Sequence, residues 1–350
     1  MRRIYLDYNA TTPLRPEARA AMIAAMDEVG NPSSVHQEGR AAKMIMERAR
    51  EQVAVALGAQ AADVVFTSGA TEAAALCLGG TDVHCSRIEH EAVSAYCIAD
   101  QAVDHMGKVR VTSPENSVLQ LANSETGIMQ DLPDGLFASD MTQAFGKVPL
   151  AFGWSGAQMA MVSAHKLGGP KGVGALILKK GTDVAAQLRG GGQEMGRRSG
   201  TENIIGIAGF GAAAEASARD LDAGVWDEVE KLRNILENAI AQSSNGTIFV
   251  GNVASRLPNT TCMITPGWKG ETQVMQMDLA GLAVSAGSAC SSGKVKSSRV
   301  LMEMGYDEAD AACALRVSLG PTTSEEDVMA FVEKWTFAYE KFMARQGVNL

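Results

Sequence analysis

The stretch that decides the fold is Met161-Val-Ser-Ala-His-Lys-Leu-Gly-Gly-Pro-Lys-Gly-Val-Gly-Ala175. Residues 158–162 predict a buried strand, and the glycines and proline of residues 168–174 predict a turn before a second apolar run at 175–178. Lys166 therefore follows a strand end, where we expect it to point into a crevice of the sheet. Burial there would lower the pKa of its amine and make it a nucleophile suited to a Schiff base with an aldehyde cofactor. An exposed lysine beside a loop is the alternative.

Composition and charge exclude several classes of protein. The 350 residues allow two domains or one large domain with an appendage, and the net charge of -9 argues against nucleic acid as the main partner. No apolar run of about 18 residues predicts a membrane span, and residues 1–13 lack the apolar core of a signal peptide. The six cysteines form no C-x-x-C pair and no metal-ligand spacing with the five histidines. We therefore expect a cytoplasmic protein without a metal site or membrane segment.

Short strands alternate with helices over the first part of the chain. Strands are predicted at 64–67, 82–86, 109–112, 118–122, 136–139, 159–163 and 175–178. Helices are predicted at 15–29, 39–57, from 73 onward, 203–220 and 225–242, and residues 4–12 form an extended arm able to reach a neighbouring site. This alternation indicates an α/β fold with a mainly parallel sheet covered by helices, and the change to long helices places a domain boundary near residue 220.

The predicted strand at 64–67 leads into a helix through Ser68-Gly-Ala-Thr-Glu72. Free backbone N–H groups and a hydroxyl at a helix N-terminus make a site for an anion such as phosphate. A capping box, in which Ser68 or Thr71 satisfies only its own helix, explains the same residues. The two interpretations are compatible, and both stay open at this point.

Polar residues follow several predicted strands where a buried sheet does not need them. They are His90, Asn123, Ser124, Asp140, Gln143, Ser163, His165 and Lys166. Ligands of open α/β sheets collect at the carboxyl ends of strands. A flat side chain, a carboxylate, a helix N-terminus and a lysine are the groups that pyridoxal phosphate requires. Taken singly, His90 also fits a surface histidine and Asp140 a turn or cap residue.

Several longer strings follow one another along the chain, among them YLDYNATTP (5–13), VVFTSGATEA (64–73), DMTQAFGKVPL (140–150), SAHKLGGPKGVGAL (163–176), AVSAGSACSSG (283–293) and LRVSLGPTT (315–323). Together and in this order they resemble the cysteine desulfurases, which belong to the class V aminotransferases and are fold-type I pyridoxal-phosphate enzymes. The resemblance implies a large domain, residues 12–220, with a mainly parallel seven-stranded sheet. It also implies a smaller α+β domain made of residues 1–11 and 221–350.

The resemblance also assigns roles to residues. Lys166 would bind pyridoxal 5'-phosphate covalently, His90 would stack on its ring, Asp140 would pair with the ring nitrogen, and Gln143 would hydrogen-bond the phenolic oxygen. The remaining cofactor contacts would be Ala70, Thr71, Asn123, Ser124, Ser163 and His165, with Thr201 supplied by the second subunit of a homodimer. Arg316 and Asn9 would bind the substrate, L-cysteine, and Cys290 would take its sulfur as a persulfide.

The chain departs from the usual pattern of these enzymes at several positions. Ser124 replaces a second asparagine, Ala286 replaces a serine, and Pro321 stands where many members have arginine. Only 12 residues separate Gly127 from Asp140, so we expect a loop or single turn in place of a crossover helix. The C-terminal segment that some members use to dock a scaffold protein is shorter, which affects the expected partner more than the chemistry.

Three functions are compatible with these residues. The first is removal of sulfur from L-cysteine for iron–sulfur cluster assembly or other sulfur biosynthesis, with an acceptor or scaffold protein as partner. The second is a transaminase or lyase of the same fold that acts on another small amino acid, and the third is a degenerate sulfur-trafficking subunit. The small residues around Cys290 favour the first, because such a loop lets a thiol approach the site and leave it. The other five cysteines lie in apolar or strand-like runs, which are typical of inert thiols.

Overall fold

The computed structural model describes residues 2–287 and 297–347. The helices within these ranges are α1 (Pro16–Met26), α2 (Gln37–Ala56), α3 (Ala70–Leu78), α4 (Glu91–Ser94), α5 (Ile204–Asp222), α6 (Val225–Ser243), α7 (Gly270–Leu279), α8 (Arg299–Glu303), α9 (Glu308–Ala311) and α10 (Glu325–Arg345). The strands are β1 (Ile4–Tyr5), β2 (Ala62–Thr67), β3 (His84–Ser86), β4 (Ile98–Gln101), β5 (Ala138–Asp140), β6 (Met159–Ser163), β7 (Gly174–Lys179), β8 (Ile248–Phe249), β9 (Thr260–Ile264), β10 (Leu282–Ala283), β11 (Ser285–Ala286) and β12 (Ala314–Ser318). None of the described helices is long and apolar enough to span a bilayer.

The central sheet is mainly parallel. Its spatial order is β2, β7, β6 and β5, followed by a segment that forms isolated bridges through Val118 and Ser117, and then β3 and β4. The neighbouring segments from β6 to β4 pair in parallel, whereas β7 runs antiparallel to both β2 and β6. The predicted mainly parallel sheet of seven segments is therefore confirmed, with β7 as its reversed strand.

The carboxyl ends of the parallel strands meet at one edge of this sheet. There β2 ends at Thr67, β5 at Asp140 and β6 at Ser163. Strand β7 begins at the same edge, where Gly174 pairs with both Thr67 and Ser163. A Cβ atom on Gly174 would lie 2.7 Å from the Cα of Gly69, so only a glycine lets the loop after β2 pack against β7. This close approach places the start of α3 beside the end of β6.

Alternate strand residues face two different cores, as the pleat requires. Val64 and Phe66 of β2 pack into a cluster with Phe210 of α5, on the face that α1, α2 and α5 cover. Val65 of β2 and Met161 of β6 point the other way, into a cluster that α3 covers. The sheet is buried on both faces, which explains why its strands are apolar runs rather than alternating ones.

The C-terminal part forms a second layered unit. Strands β11, β12, β9 and β8 make an antiparallel sheet that packs against α6, α7 and α10. Trp268 and Trp335 anchor its core with ring centroids 5.4 Å apart, and Trp335 stacks on Tyr339. At the opposite end of the chain, β1 pairs in parallel with β10, and Leu6 joins the same core. We propose that residues 1–11 and 221–350 form one domain and residues 12–220 the other.

Most predicted elements appear near their expected positions. The predicted helices at 15–29, 39–57, 203–220 and 225–242 correspond to α1, α2, α5 and α6. The predicted strand at 109–112 is wrong, because Val109 forms only an isolated antiparallel bridge to Val103. The predicted strand at 118–122 is reduced to isolated bridges at Val118 and Ala122. The expected loop after Gly127 is confirmed, since residues 128–137 are all described and contain neither helix nor regular strand.

Candidate active site

A cavity of about 600 Å³ lies at the carboxyl edge of the central sheet. It brings together residues that are far apart in the sequence. The predicted site residues that line it are Asn9, Ala70, Thr71, His90, Ser124, Asp140, Gln143, Ser163, His165, Lys166 and Arg316. Loops after β2, β3, β5 and β6, the N-terminal arm and β12 therefore form one pocket.

Lys166 ends the short 3₁₀ turn that follows β6. Its Nζ donates hydrogen bonds to the carbonyl oxygens of Asn9, at 2.5 Å, and Ala10, at 3.0 Å. The backbone carbonyl of Lys166 in turn accepts a hydrogen bond from Thr12 Oγ1 at 2.8 Å. Gly168 follows with φ of 91°, a backbone conformation that favours glycine. The arm and the glycine turn thus hold the lysine from two sides, where it lines the cavity.

The N-terminus of α3 forms another wall of the cavity. Gly69 is the N-cap residue, and no side chain caps the helix there. Ser163 Oγ lies 3.9 Å from the position of a Cβ atom on Gly69, so the end of β6 faces this helix start. The side chain of Glu72 accepts a hydrogen bond from the N–H of Ser68 at 2.8 Å, which fixes the preceding loop. Uncapped N–H groups and a serine hydroxyl are suited to an anion.

His90 and Asp140 line the cavity with their orientations set by local hydrogen bonds. His90 is the N-cap of α4, and its Nδ1 accepts from the N–H of Ala92 at 3.1 Å. The proton of the neutral ring is consequently on Nε2. Asp140 Oδ1 accepts from the N–H of Thr142 at 2.9 Å. One oxygen is thus used by the turn after β5.

Arg316 reaches the cavity from β12 and is 2% exposed. Its Nη2 pairs with Asp7 Oδ1 at 2.8 Å, and its Nη1 donates to the carbonyl oxygen of Ser124 at 3.0 Å. Its Nε is buried without a hydrogen-bond partner among the described residues. The guanidinium is thus held rigidly and retains an unsatisfied donor.

A cluster of buried amides joins the arm to the loop after β5. The carbonyl oxygen of Asn9 accepts from Gln143 Nε2 at 3.0 Å as well as from Lys166. Lys147, which is 1% exposed, donates from Nζ to Asn9 Oδ1 at 2.8 Å and to Gln143 Oε1 at 2.9 Å. Burial, with the positive charges of Lys166 and Arg316 nearby, lowers the pKa of Lys147 well below its usual range.

Burial also changes the pKa values of His165, which lines the cavity, and of two carboxyls next to residues that line it. It lowers the pKa of His165 to about 4, with Lys166 and Lys171 adding to the effect, so this histidine is neutral at pH 7. It raises the pKa of Glu125 to about 7, although Ser298 Oγ donates to this carboxyl at 2.5 Å. It raises the pKa of Glu89 well above its usual range as well.

Three predicted site residues are not among those that line the cavity. The side chain of Asn123 is buried and builds a turn, because its Oδ1 accepts from the N–H groups of Glu125 and Thr126, both at 2.9 Å. Thr201 is exposed and remains a prediction for the second subunit. Cys290 lies outside the described residues.

Sequence reasoning also missed residues at the site. Thr142 and Lys171 line the cavity, and Lys147 lies behind its wall. A signal for Lys147 was present, because it is a lysine within the apolar run 144–152 and follows Gln143 by four residues. In a helix that spacing places two side chains on one face, whereas residues 142–147 here form a non-helical turn in which Gly146 has a φ of 77°.

The described cysteines differ in burial. Cys77, Cys85, Cys262 and Cys313 are buried, whereas Cys97 is half-buried. Burial raises the pKa of Cys77 and of Cys262 to about 12. The thiolate, which is the nucleophile, is therefore disfavoured at both sites at neutral pH.

Comparison with known proteins covers nearly the whole chain. The profile of the class-V aminotransferase family matches residues 4–132 and 79–331. A cysteine desulfurase from Cereibacter sphaeroides is 37% identical in an alignment that covers 95% of this chain and 95% of that protein. The solved structure of a NifS-like protein from Rickettsia africae ESF-5 has a TM-score of 0.87 at 32% identity and covers 97% of this chain and 99% of that one. The structure titled SspA in complex with cysteine has a TM-score of 0.74 at 26% identity, with 92% and 100% covered. The chain therefore belongs to the class-V aminotransferase family and, within it, to the cysteine desulfurases.

Proposed function

We propose that the chain uses pyridoxal 5'-phosphate, bound in the 600 Å³ cavity, to convert L-cysteine to L-alanine, with the sulfur transferred to Cys290 as a persulfide. The observation that carries the proposal is that Lys166 and Arg316 line the same cavity. An amine nucleophile and a guanidinium in one pocket suit an amino-acid substrate, whose carboxylate matches the planar fork of arginine.

The residues present fit the cofactor. The uncapped start of α3 and the hydroxyl of Ser163 would hold its phosphate, because this end of the helix presents free N–H donors. His90 would stack on its ring, Asp140 would pair with the ring nitrogen, and Gln143 would donate to the phenolic oxygen. When bound, pyridoxal phosphate supplies an aldehyde that reacts with amines and a ring that withdraws electrons from the substrate Cα.

Two residues would act directly on the substrate. Arg316 would hold the carboxylate, for which its buried Nε is an unsatisfied donor. This anchoring fixes the Cα–H bond relative to Lys166. Lys166 Nζ, released from the cofactor when the substrate amine binds, would then take the Cα proton as general base.

Cys290 would complete the reaction as the sulfur acceptor. Its thiolate attacks the substrate sulfur, an S–S bond forms and the substrate Cβ–S bond breaks. The electron pair of the broken bond stays with Cβ and takes up a proton, so the products are alanine and a persulfide. Four of the five described cysteines are buried, which leaves them poorly placed for this role.

The proposed function also involves two protein partners, a second subunit and a sulfur acceptor. We propose a homodimer in which Thr201, exposed on this chain, contributes to the cofactor site of the second subunit. We also propose that the persulfide passes to an acceptor protein of iron–sulfur cluster or other sulfur-compound biosynthesis.

The cofactor assignment is tested with Lys166→Ala and Lys171→Ala, since both lysines line the cavity. The wild type incubated with pyridoxal phosphate should show a visible absorption band that borohydride fixes on Lys166. Lys166→Ala should lose that band and turnover, while Lys171→Ala should keep the band. Borohydride attachment at Lys171 in the wild type would overturn the assignment.

The sulfur-transfer step is tested with Cys290→Ser, and Cys97→Ser serves as the control because Cys97 is the half-buried thiol among those described. Cys290→Ser should keep the visible band and respond to cysteine, yet form no persulfide and almost no alanine. Thiol-trapping mass spectrometry of the wild type should find the extra sulfur on Cys290. Full alanine production by the mutant would instead favour a lyase.

A further inference from the structure

Lys147 is a buried lysine that the proposed reaction does not use. It is 1% exposed, and both of its hydrogen-bond acceptors are amide oxygens, Asn9 Oδ1 and Gln143 Oε1. It forms no ion pair with a carboxylate among the residues that the structure describes. Burying an amine without a counter-ion is costly, so its presence beside the cavity calls for an explanation.

The hydrogen bonds of Lys147 determine how two amides are oriented. A lysine side chain that donates to a neighbouring amide must face its oxygen and not its NH2 group. The NH2 group of Gln143 consequently lies on the far side from Lys147, where it donates to the carbonyl oxygen of Asn9 at 3.0 Å and where Gln143 lines the cavity. An inverted amide would direct an oxygen at that carbonyl and offer the cavity no donor.

The two amides depend on Lys147 to different degrees. Asn9 Oδ1 also accepts from Asn259 Nδ2 at 3.1 Å, and Asn9 Nδ2 donates to Thr260 Oγ1 at 2.8 Å, so Asn9 is held from several sides. Gln143 Oε1 has Lys147 as its hydrogen-bond donor within the described part of the chain. Loss of the lysine would therefore release Gln143 first.

We propose that Lys147 is a positioning residue that fixes the Gln143 amide with its NH2 group available as a donor to the phenolic oxygen of the cofactor. This role rests on the proposed function, because the acceptor belongs to pyridoxal phosphate. The two side chains are four residues apart in the non-helical turn of residues 142–147, in which Gly146 has a φ of 77°, and they meet through the hydrogen bond between Lys147 Nζ and Gln143 Oε1.

The test measures the pH at which the visible band of the bound cofactor changes. Without the Gln143 donor, negative charge on the phenolic oxygen is less stabilised and holds the neighbouring proton more strongly. Lys147→Met should therefore raise the midpoint by about half to one pH unit. It should lower kcat by about tenfold and leave KM for cysteine within about threefold. Lys147→Gln, which keeps an N–H donor, should recover at least half of the shift.

A double-mutant cycle separates positioning from a direct effect of charge. Gln143→Met alone should reproduce the shift, and adding Lys147→Met should then change the midpoint little. Phe145→Leu, a packing change in the same turn, should lower the melting temperature without moving the midpoint. A full additional shift in the Gln143→Met background would overturn the role. If the wild type shows a normal band and Lys147→Met has the same midpoint pH, only the positioning role of Lys147 is overturned. If the wild type shows no band at all, the proposed function is overturned as well.

Discussion

The buried carboxyl of Glu125 should make the protein less stable as the pH rises. Its pKa is raised from 4.5 to about 7, mainly by burial, while Ser298 and the charges of Arg316 and Arg299 act in the opposite direction. Between these two values the folded chain binds a proton that the unfolded chain has lost. The free energy of unfolding therefore falls as the pH rises through this window. The stabilising contribution of the protonated Glu125 carboxyl is fully present only below about pH 4.5.

The size of the effect follows from the same values. Each pKa unit corresponds to about 1.4 kcal/mol, so the change from pH 5 to pH 8 should remove about 2.5 kcal/mol of stability. Unfolding entropy of about 2 cal/mol/K per residue converts this, for 350 residues, into a fall of about 3 °C in melting temperature. Glu125→Gln keeps a neutral side chain of the same shape at every pH and should lose this dependence.

The assay is the melting temperature of the wild type and Glu125→Gln at pH 5 and pH 8, with Glu115→Gln as the control because Glu115 is exposed. The difference between Glu125→Gln and the wild type should grow in favour of the mutant by about 3 °C from pH 5 to pH 8. The exposed control should show no such trend. A mutant that instead loses stability at pH 8 would mean that Glu125 is ionised and paired in the folded protein, which refutes the argument.

Three further changes test how the site is supported. Glu194→Gln should destabilise the protein by about 3 kcal/mol, seen as a lower melting temperature, because its buried carboxylate accepts two hydrogen bonds from Arg50 at 2.8 and 2.9 Å. An unchanged melting temperature would show that the ion pair between Arg50 and Glu194 makes no net contribution to stability. Gly320→Ala should weaken pyridoxal phosphate binding, measured by titration, because its Cβ would lie 1.9 Å from the ring of Tyr8 and displace the arm that carries the adjoining site residues. Binding equal to the wild type would mean that the arm adjusts. Arg316→Lys should raise KM for cysteine more than it lowers kcat, since a lysine ammonium cannot keep the contacts to Asp7 and Ser124 and also present a donor at the position of Nε. An unchanged KM would point to another anchor for the carboxylate.

Local sequence determined much of the scaffold. The strand and glycine turn around Lys166 are found where the apolar run and the glycines predict them, because side-chain period and backbone freedom are properties of neighbouring residues. The same reasoning failed at residues 109–112, where apolar and polar residues alternate as in a strand. This segment pairs with its neighbours only through the isolated bridge between Val109 and Val103. Pairing is a long-range event that local pattern does not specify.

Only the tertiary structure decided how the site is assembled. Asn9 meets Gln143 and Lys147 through hydrogen bonds that span 134 and 138 residues, and no spacing in the sequence encodes those contacts. The side chain of Asn123 builds a turn through its hydrogen bonds to the N–H groups of Glu125 and Thr126, a use that the sequence did not indicate, and its contact to the cofactor stays a prediction. Burial depends on the packing of distant segments, and burial is what makes Lys147 and Glu125 chemically unusual. The sequence by itself determined which residues could do chemistry, and the packing of distant segments decided which of them face the cavity and which support it from behind.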